Sequence, residues 1–410
     1  MNKKSLLTGL GIGAVLGAGS FLLHDKFCKK KCEYFPFFGE GTEKDIDSSK
    51  ITVQLTKNPK KKKEDPNEYG FGKYMSDHML EIDYIDKKFT VPRIVPFHDF
   101  PVHPATSVIH YGITAFEGMK AYKDSEGKIR LFRPMKNMKR FLKSARRLCL
   151  PDFNPEELLK CIEKLVMIEK DWVPEKKGFA AYIRPIIMGT DQFLGLKPAS
   201  KYKIFVIISP VGSYYSDGMK GIRLFAQNEY LRSWVGGTGG NKLGGNYAPT
   251  LLPTLKGFEK ECKSVLFLDK EGKVTEAGAM NCMVIWENEN NERELITPSL
   301  EDNTILPGIT RDSILKLAKE SGQFDKVTEG DITINQLVKA HNENRLFEIF
   351  GCGTAAIVSP VLGFKYEGKT YDFAKDGKLG EFTLYLYDTI LSIQHGEIEH
   401  QWSHLIEEQD

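Results

Sequence analysis

Charge of one sign is the first thing this sequence lacks. Its 57 Lys+Arg face 55 Asp+Glu, a formal net charge of +2 over 410 residues. No global basic surface points to nucleic acid, and no acidic excess points to disorder. A disulfide framework is missing too. The seven cysteines (Cys28, Cys32, Cys149, Cys161, Cys262, Cys282 and Cys352) are odd in number and irregularly spaced, as in a reducing compartment. No His/Cys pair at zinc-like spacing follows Cys28 and Cys32, so they read as two thiols in a basic linker. There is no internal repeat, and Lys242, which follows Asn and precedes Leu, does not make the Gly-Lys-Ser/Thr of a nucleotide phosphate loop.

What remains is ordinary globular usage, 41% hydrophobic and 27% charged, in a length that suggests two domains. The amino terminus stands apart. Residues 6–23 carry no charge, and at about 1.5 Å per residue they are near the minimum for spanning a bilayer. Gly13 and Gly17 have helix-pairing spacing. A membrane anchor, a targeting segment and a secretory signal all stay open as readings. The stretch is neither Arg- and Ser-rich like a matrix presequence nor followed by a small-residue cleavage site. The compartment stays open between mitochondrion and cytosol. Residues 24–66, with lysines at 60–63, read as a solvated linker, and a folded body is expected from near Tyr69.

In the body, 78–84, 129–132, 180–188 and 202–208 read as strands, and 137–148 and 155–170 as helices. The segment 211–221, with Tyr214 and Gly212, Gly218 and Gly221, reads as a connection between domains. Beyond it come a strand at 222–226, a helix at 247–260 and a hairpin joining 265–268 to 274 onward. A strand at 283–286, an apolar stretch at 346–361 and helices at 310–320 and 382–393 complete the pattern. Irregular alternation favours an α+β class over a doubly wound sheet. The expected division is an N-terminal segment and linker (1–66), a small α/β domain (67–212), a connecting loop (213–221) and a large domain (222–410).

The densest signal is Gly236-Gly-Thr-Gly-Gly-Asn-Lys242-Leu-Gly-Gly-Asn-Tyr247. A glycine-rich loop before a helix can cradle phosphate. A lysine enclosed there can also be desolvated, which lowers its pKa and frees the amine for Schiff-base chemistry. An isolated lysine in a loop is otherwise a surface residue.

Further stretches surround this loop in order: Phe71-Gly-Lys, Asp77-His-Met-Leu80, Phe116-Glu-Gly-Met-Lys120, Leu131-Phe-Arg-Pro134, Asn137-Met-Lys-Arg140, Tyr182-Ile-Arg-Pro185, Thr275-Glu-Ala-Gly278, Leu306-Pro-Gly-Ile-Thr-Arg311 and Gly353-Thr-Ala355. With them the chain resembles the branched-chain amino-acid aminotransferases, class IV pyridoxal-phosphate enzymes, from about Phe71 to His404. The resemblance implies a two-domain fold like that of D-amino-acid aminotransferase (fold type IV). It implies pyridoxal 5'-phosphate as cofactor, Lys242 as Schiff-base lysine, and reversible transfer of the amino group of leucine, isoleucine and valine to 2-oxoglutarate. Arg140, Ile309, Thr310 and Thr354 would bind the phosphate, Tyr247 the phenolic oxygen and Glu276 the ring nitrogen. Phe71, Tyr111, Phe116, Tyr182, Arg184, Leu196, Tyr214 and Ala355 would meet substrate. A homodimer is implied, with Tyr111 serving the neighbour. Alone, Glu276 reads as a solvent-facing turn residue and Arg140 as a helix-surface cation.

The chain departs from the family's pattern at two places. Ala356 and Ser359 stand where animal members carry a Cys-x-x-Cys pair, so no thiol switch of that kind is expected. Ala279 stands where many relatives have threonine. Other enzymes of the fold (D-amino-acid transaminases, carbon–carbon lyases) remain alternatives, as does an anchored binding protein without catalysis. Bound-cofactor colour and an amino-acid panel discriminate among them.

Overall fold

The structure, a computed structural model, describes residues 45–214, 218–374 and 377–407. Two mixed sheets organise it. The first has ten strands, in the order Thr52–Val53, Arg93–Pro96, His78–Ile85, Tyr202–Val211, Ala180–Gly189, Met119–Lys123, Ile129–Phe132 and Ser403–Leu405; Lys88–Phe89 and Thr114–Phe116 pair off this path. The apolar runs at 180–189 and 202–211 form its central antiparallel pair, in register from Ala180↔Val211 to Gly189↔Tyr202. Pro185 sits inside that pair, where it has no N–H to give. Its carbonyl accepts from the Glu117 N–H at 2.9 Å. In a strand the N and C=O of one residue face the same side, so the missing donor also falls opposite Glu117. There the neighbouring chain breaks into two short strands, Thr114–Phe116 and Met119–Lys123. Glu117 and Gly118 are left off the ladder, beside the cavity described below.

The second sheet has nine strands. Six of them close into a hydrogen-bonded ring: Val274–Ala277, Ser264–Leu268, Ile222–Gln227, Ile357–Tyr366, Leu346–Gly353 and Met280–Glu287. Closure removes the exposed edges of these strands. The hairpin expected across Asp269 and Gly272 is present, with Leu266↔Ala277 and Phe267↔Glu276 facing each other. Gly272 turns it at φ +79°, a conformation that favours glycine.

Helices cover the sheets. Pro134–Arg147 starts on a proline and buries Met138, Phe141 and Ala145. Pro155–Ile168 also starts on a proline, and its cap Asn154 accepts from the Glu156 and Glu157 N–H groups. The helix expected at 247–260 begins later, at Leu251, after two 3-10 turns. Pro253 explains the delay: in an α-helix begun at Tyr247 its missing N–H would break the ladder, whereas in one begun at Leu251 it falls in the first turn, where no donor is needed.

The expected linker ends earlier than its composition suggested. Ile46 is buried in the first core, and Thr52–Val53 pairs in parallel with Arg93–Ile94. The Lys60 ammonium donates to the Met75 and Ser76 carbonyls at 3.1 and 2.8 Å, and Lys63 N–H donates to the Tyr69 hydroxyl at 2.8 Å. The lysine run is thus partly docked: neighbouring carbonyls and rings outweigh the tendency of like charges to stay solvated. Residues 6–23, Cys28 and Cys32 lie outside the described residues. Among the described residues no helix is long and apolar enough to cross a membrane, and no group of side chains could hold a metal ion.

Candidate active site

A cavity of about 820 Å³ is lined from both sheets, and Lys242, Arg140, Tyr247, Glu276, Thr310 and Thr354 all reach it. The loop carrying Lys242 is knotted from within. The Thr238 hydroxyl donates to Asn246 Oδ1 at 2.6 Å, and Asn246 Nδ2 donates to the Thr238 and Asn241 carbonyls, each at 2.9 Å. Its glycines serve close packing more than anion contact. A Cβ on Gly239 would lie 2.0 Å from the Thr304 carbonyl oxygen, and one on Gly240 1.9 Å from Asn303 Oδ1. Lys242 itself is pinned at both ends of its peptide. Its N–H donates to Ser144 Oγ at 2.8 Å, and its carbonyl accepts from the Phe116 N–H at 3.1 Å.

The Lys242 ammonium lies 4.8 Å above the Phe116 ring and donates to the Tyr247 hydroxyl at 3.0 Å. Burial, with the nearby Arg140 charge, pushes its pKa down to about 8. Burial also pushes the Tyr247 phenol up to about 12. The site thus eases loss of the amine's proton while keeping the phenol beside it neutral.

Glu276 is buried opposite Phe267. Burial pushes its carboxyl up from the ordinary value. The Arg232 guanidinium at 2.8 Å and the Leu306 N–H at 2.9 Å act against that and favour the ionised form. Arg232, the ion-pair partner of this candidate site residue, is one that sequence reasoning missed. It lies in an unpatterned loop, and nothing local marks it.

Arg140 has a partner that was also missed. Its Nε donates to Glu117 Oε1 at 2.7 Å and its Nη2 to Glu117 Oε2 at 2.8 Å, while Nη1 donates to the Pro307 carbonyl at 3.1 Å. Asn137 Nδ2 adds a bond to Glu117 at 2.8 Å. Burial alone would raise the Glu117 carboxyl, but the Arg140 guanidinium holds it below its ordinary value. A guanidinium has five N–H donors, so this fork leaves two free for an anion. Next to it begins the helix Ile309–Ser321, whose cap Gly308 offers no side-chain acceptor. Its first amides are therefore available to an anion.

On the substrate side, Arg184 Nη2 donates to the Tyr182 hydroxyl at 3.0 Å, and its Nε is buried without a partner. Its guanidinium stacks 4.7 Å from the Phe116 ring. Gly118 makes room for Tyr182, since a Cβ there would lie 2.0 Å from that hydroxyl. Tyr214, Ala279 and Ala355 also line the cavity. Phe71 stands at its margin, packed on Tyr182 at 4.9 Å between centroids. Tyr111 and Leu196 do not line the cavity of this single chain. The Tyr111 hydroxyl donates to the Leu194 carbonyl, and Leu196 is 79% exposed. Cys352 faces the cavity, and all five described cysteines are free thiols.

Residues 114–363 match the family described as amino-transferase class IV. A branched-chain-amino-acid aminotransferase of Dictyostelium discoideum is 47% identical over 365 residues, 88% of this chain and 96% of its own. The mitochondrial enzyme of that name from Schizosaccharomyces pombe is 44% identical over 367 residues, 88% of this chain and 86% of its own. The crystal structure of a T.th. branched-chain amino acid aminotransferase complexed with N-(5'-phosphopyridoxyl)-L-glutamate is similar at TM-score 0.64 and 27% identity, over 80% of this chain and 98% of that one.

Proposed function

The chain belongs to the class IV aminotransferases and, within them, to the branched-chain-amino-acid aminotransferases, and from that premise we propose how its own residues divide the work. It is a transaminase for leucine, isoleucine and valine with 2-oxoglutarate, using pyridoxal 5'-phosphate. When bound, that cofactor supplies an aldehyde to carry the amino group and a ring to accept electrons released at Cα.

The donor set fits such a group. An amine held near neutrality, a buried carboxylate and a guanidinium beside an uncapped helix start share one cavity. Arg140, the N–H groups of Ile309 and Thr310, and the Thr354 hydroxyl would hold the phosphate. Tyr247 would meet the phenolic oxygen, and Glu276, paired with Arg232, the ring nitrogen. Lys242 would anchor the cofactor through its amine and, once released, move the proton between the substrate Cα and the cofactor. The N–H groups near Thr354 and Ala355 would take the α-carboxylate. Phe116 and Tyr182 offer apolar surface to a branched side chain. Arg184, with an unpartnered buried Nε, suits the second carboxylate of glutamate.

The observation that carries this reading is the Lys242 amine within one cavity with Glu276 and Arg140. The test is a panel of amino acids with 2-oxoglutarate. Glutamate should form fastest from the three branched-chain substrates, and preference for D-amino acids would overturn the assignment. A pH dependence follows as well. The Lys242 amine is protonated below about 8 and neutral above it. Uptake of pyridoxal phosphate by cofactor-free protein should therefore quicken from roughly pH 6 to about 8 and then level off. Stopped-flow absorbance reads this, and a flat profile would contradict it.

A homodimer is the assembly we propose. Trp234, Val235, Leu251, Leu252, Leu255 and Phe258 are each at least half exposed in the single chain, and so many exposed large apolar side chains favour a protein partner. Within such a dimer Tyr111 and Leu196 would face the neighbour's pocket. Sedimentation equilibrium measures the mass, and a monomer would refute this. A mitochondrial or cytosolic setting is the reading that the free thiols support.

A further inference from the structure

We propose that Lys120 is a positioning residue for substrate binding: its ammonium holds the Ala355 carbonyl, so that the turn at 354–356 presents its N–H side to the cavity. Lys120 ends the Phe116-Glu-Gly-Met-Lys120 stretch and is buried, and its Nζ donates to the Ala355 carbonyl at 2.8 Å. It makes no ion pair among the described residues, and burial pushes its pKa down to about 8. A cation buried against a single carbonyl is costly, and a turn needing only tertiary packing would be served by an apolar side chain.

The turn links the strands Leu346–Gly353 and Ile357–Tyr366, and Ala355 and Ala356 line the cavity while Lys120 does not. In a planar trans peptide the Ala355 C=O and the Ala356 N–H are antiparallel. Drawing the carbonyl toward Lys120 therefore turns that N–H the other way, toward the cavity. The turn also carries strain. Ile357, a β-branched residue, is held at φ +65°, a conformation such residues avoid unless the surroundings impose it.

The lysine reaches this turn from the chain segment that also fixes the amine. The Phe116 N–H binds the Lys242 carbonyl at 3.1 Å, four residues before Lys120. One segment thus sets the spacing between the Lys242 amine and the N–H groups of the turn. This inference rests on the proposal that those N–H groups take the α-carboxylate.

The experiment compares Lys120→Met and Lys120→Arg in the full chain loaded with pyridoxal phosphate. With Lys120→Met, KM should rise on the order of tenfold, the loss of about one charge-assisted hydrogen bond. The rise should be alike for leucine, glutamate and 2-oxoglutarate, which share the α-carboxylate. The bound-cofactor absorption should stay unchanged, kcat should change by less than about twofold, and Lys120→Arg should recover most of the affinity. An unchanged KM overturns the proposal. So does a rise confined to one substrate, or a loss of thermal stability with normal KM in the loaded fraction. If Lys120→Met does not fold, Lys120→Gln, which keeps a neutral donor, is read against the same outcomes. A parent enzyme that transaminates no branched-chain amino acid would overturn the functional reading itself. An active parent with an unaltered variant overturns this inference alone.

Discussion

Replacing Lys242 by alanine should reduce transamination by more than about 10³-fold while leaving the fold in place. The expectation rests on two separate duties of one amine. Among the described residues lining the cavity it is the lysine that is not exposed, unlike Lys220 and Lys263, and it stands 3.0 Å from a phenol able to relay a proton. Loss of the anchor alone would leave cofactor exchangeable; loss of the proton carrier would leave it bound but idle. The variant should therefore lose its yellow colour on dialysis and show no glutamate formation from leucine. Its melting curve should match that of the cofactor-free parent, because the side chain's removal exposes no core and breaks only one hydrogen bond. Retained turnover near parental levels would rule Lys242 out of the chemistry, whatever the colour.

Glu117→Ala should produce the largest loss of stability of any single change at the site, roughly 3–5 kcal/mol, the usual cost of stranding one member of a buried ion pair. Glu117 is fully buried, and it orders both Arg140 and Asn137. Without it the guanidinium is left with one carbonyl acceptor and no fixed orientation. Pyridoxal phosphate should then be held more weakly, even though Glu117 itself offers nothing to a phosphate. The pH sign is definite. Because the Glu117 carboxyl is held below its ordinary value, its contribution is complete at neutral pH and is lost as the medium becomes acidic. The deficit of the variant should accordingly shrink in acid. Urea titrations at two pH values measure it, and a parent–variant difference under about 1 kcal/mol at neutral pH would refute the assignment.

These two residues show what was legible in the chain and what was not. Lys242 is conspicuous because glycines surround it. Glu117 sits among apolar residues in a stretch that family likeness marks, but its bond to a residue in a different element has no local signature. Arg232 is harder still. Its partner Glu276 reads alone as a turn residue, and only the ring of strands brings the two to 2.8 Å. The same divide runs through the fold. The apolar runs that became Ala180–Gly189 and Tyr202–Val211 were readable because they are long and mostly apolar, with one face buried and the other partly covered. Short strands such as Thr52–Val53 and Lys88–Phe89 were not, since two residues carry no period and their pairing is decided by the neighbour. The helix Ile334–Asn342 was missed despite a complete capping box between Thr333 and Gln336, a signal that could have found it.

The last strand, Ser403–Leu405, lies against Ile129–Phe132 at the far end of the first sheet. A ribosome makes all other strands of that sheet before it begins most of the second. At typical synthesis rates the early half then waits on the order of 10–40 s for its final piece. During that interval the edge at 129–132 is bare, with its N–H and C=O groups open to any passing strand. A nascent chain of this design is best guarded from its fellows while it is still being made, and slower translation through 222–400 lengthens the time for which that guard is needed.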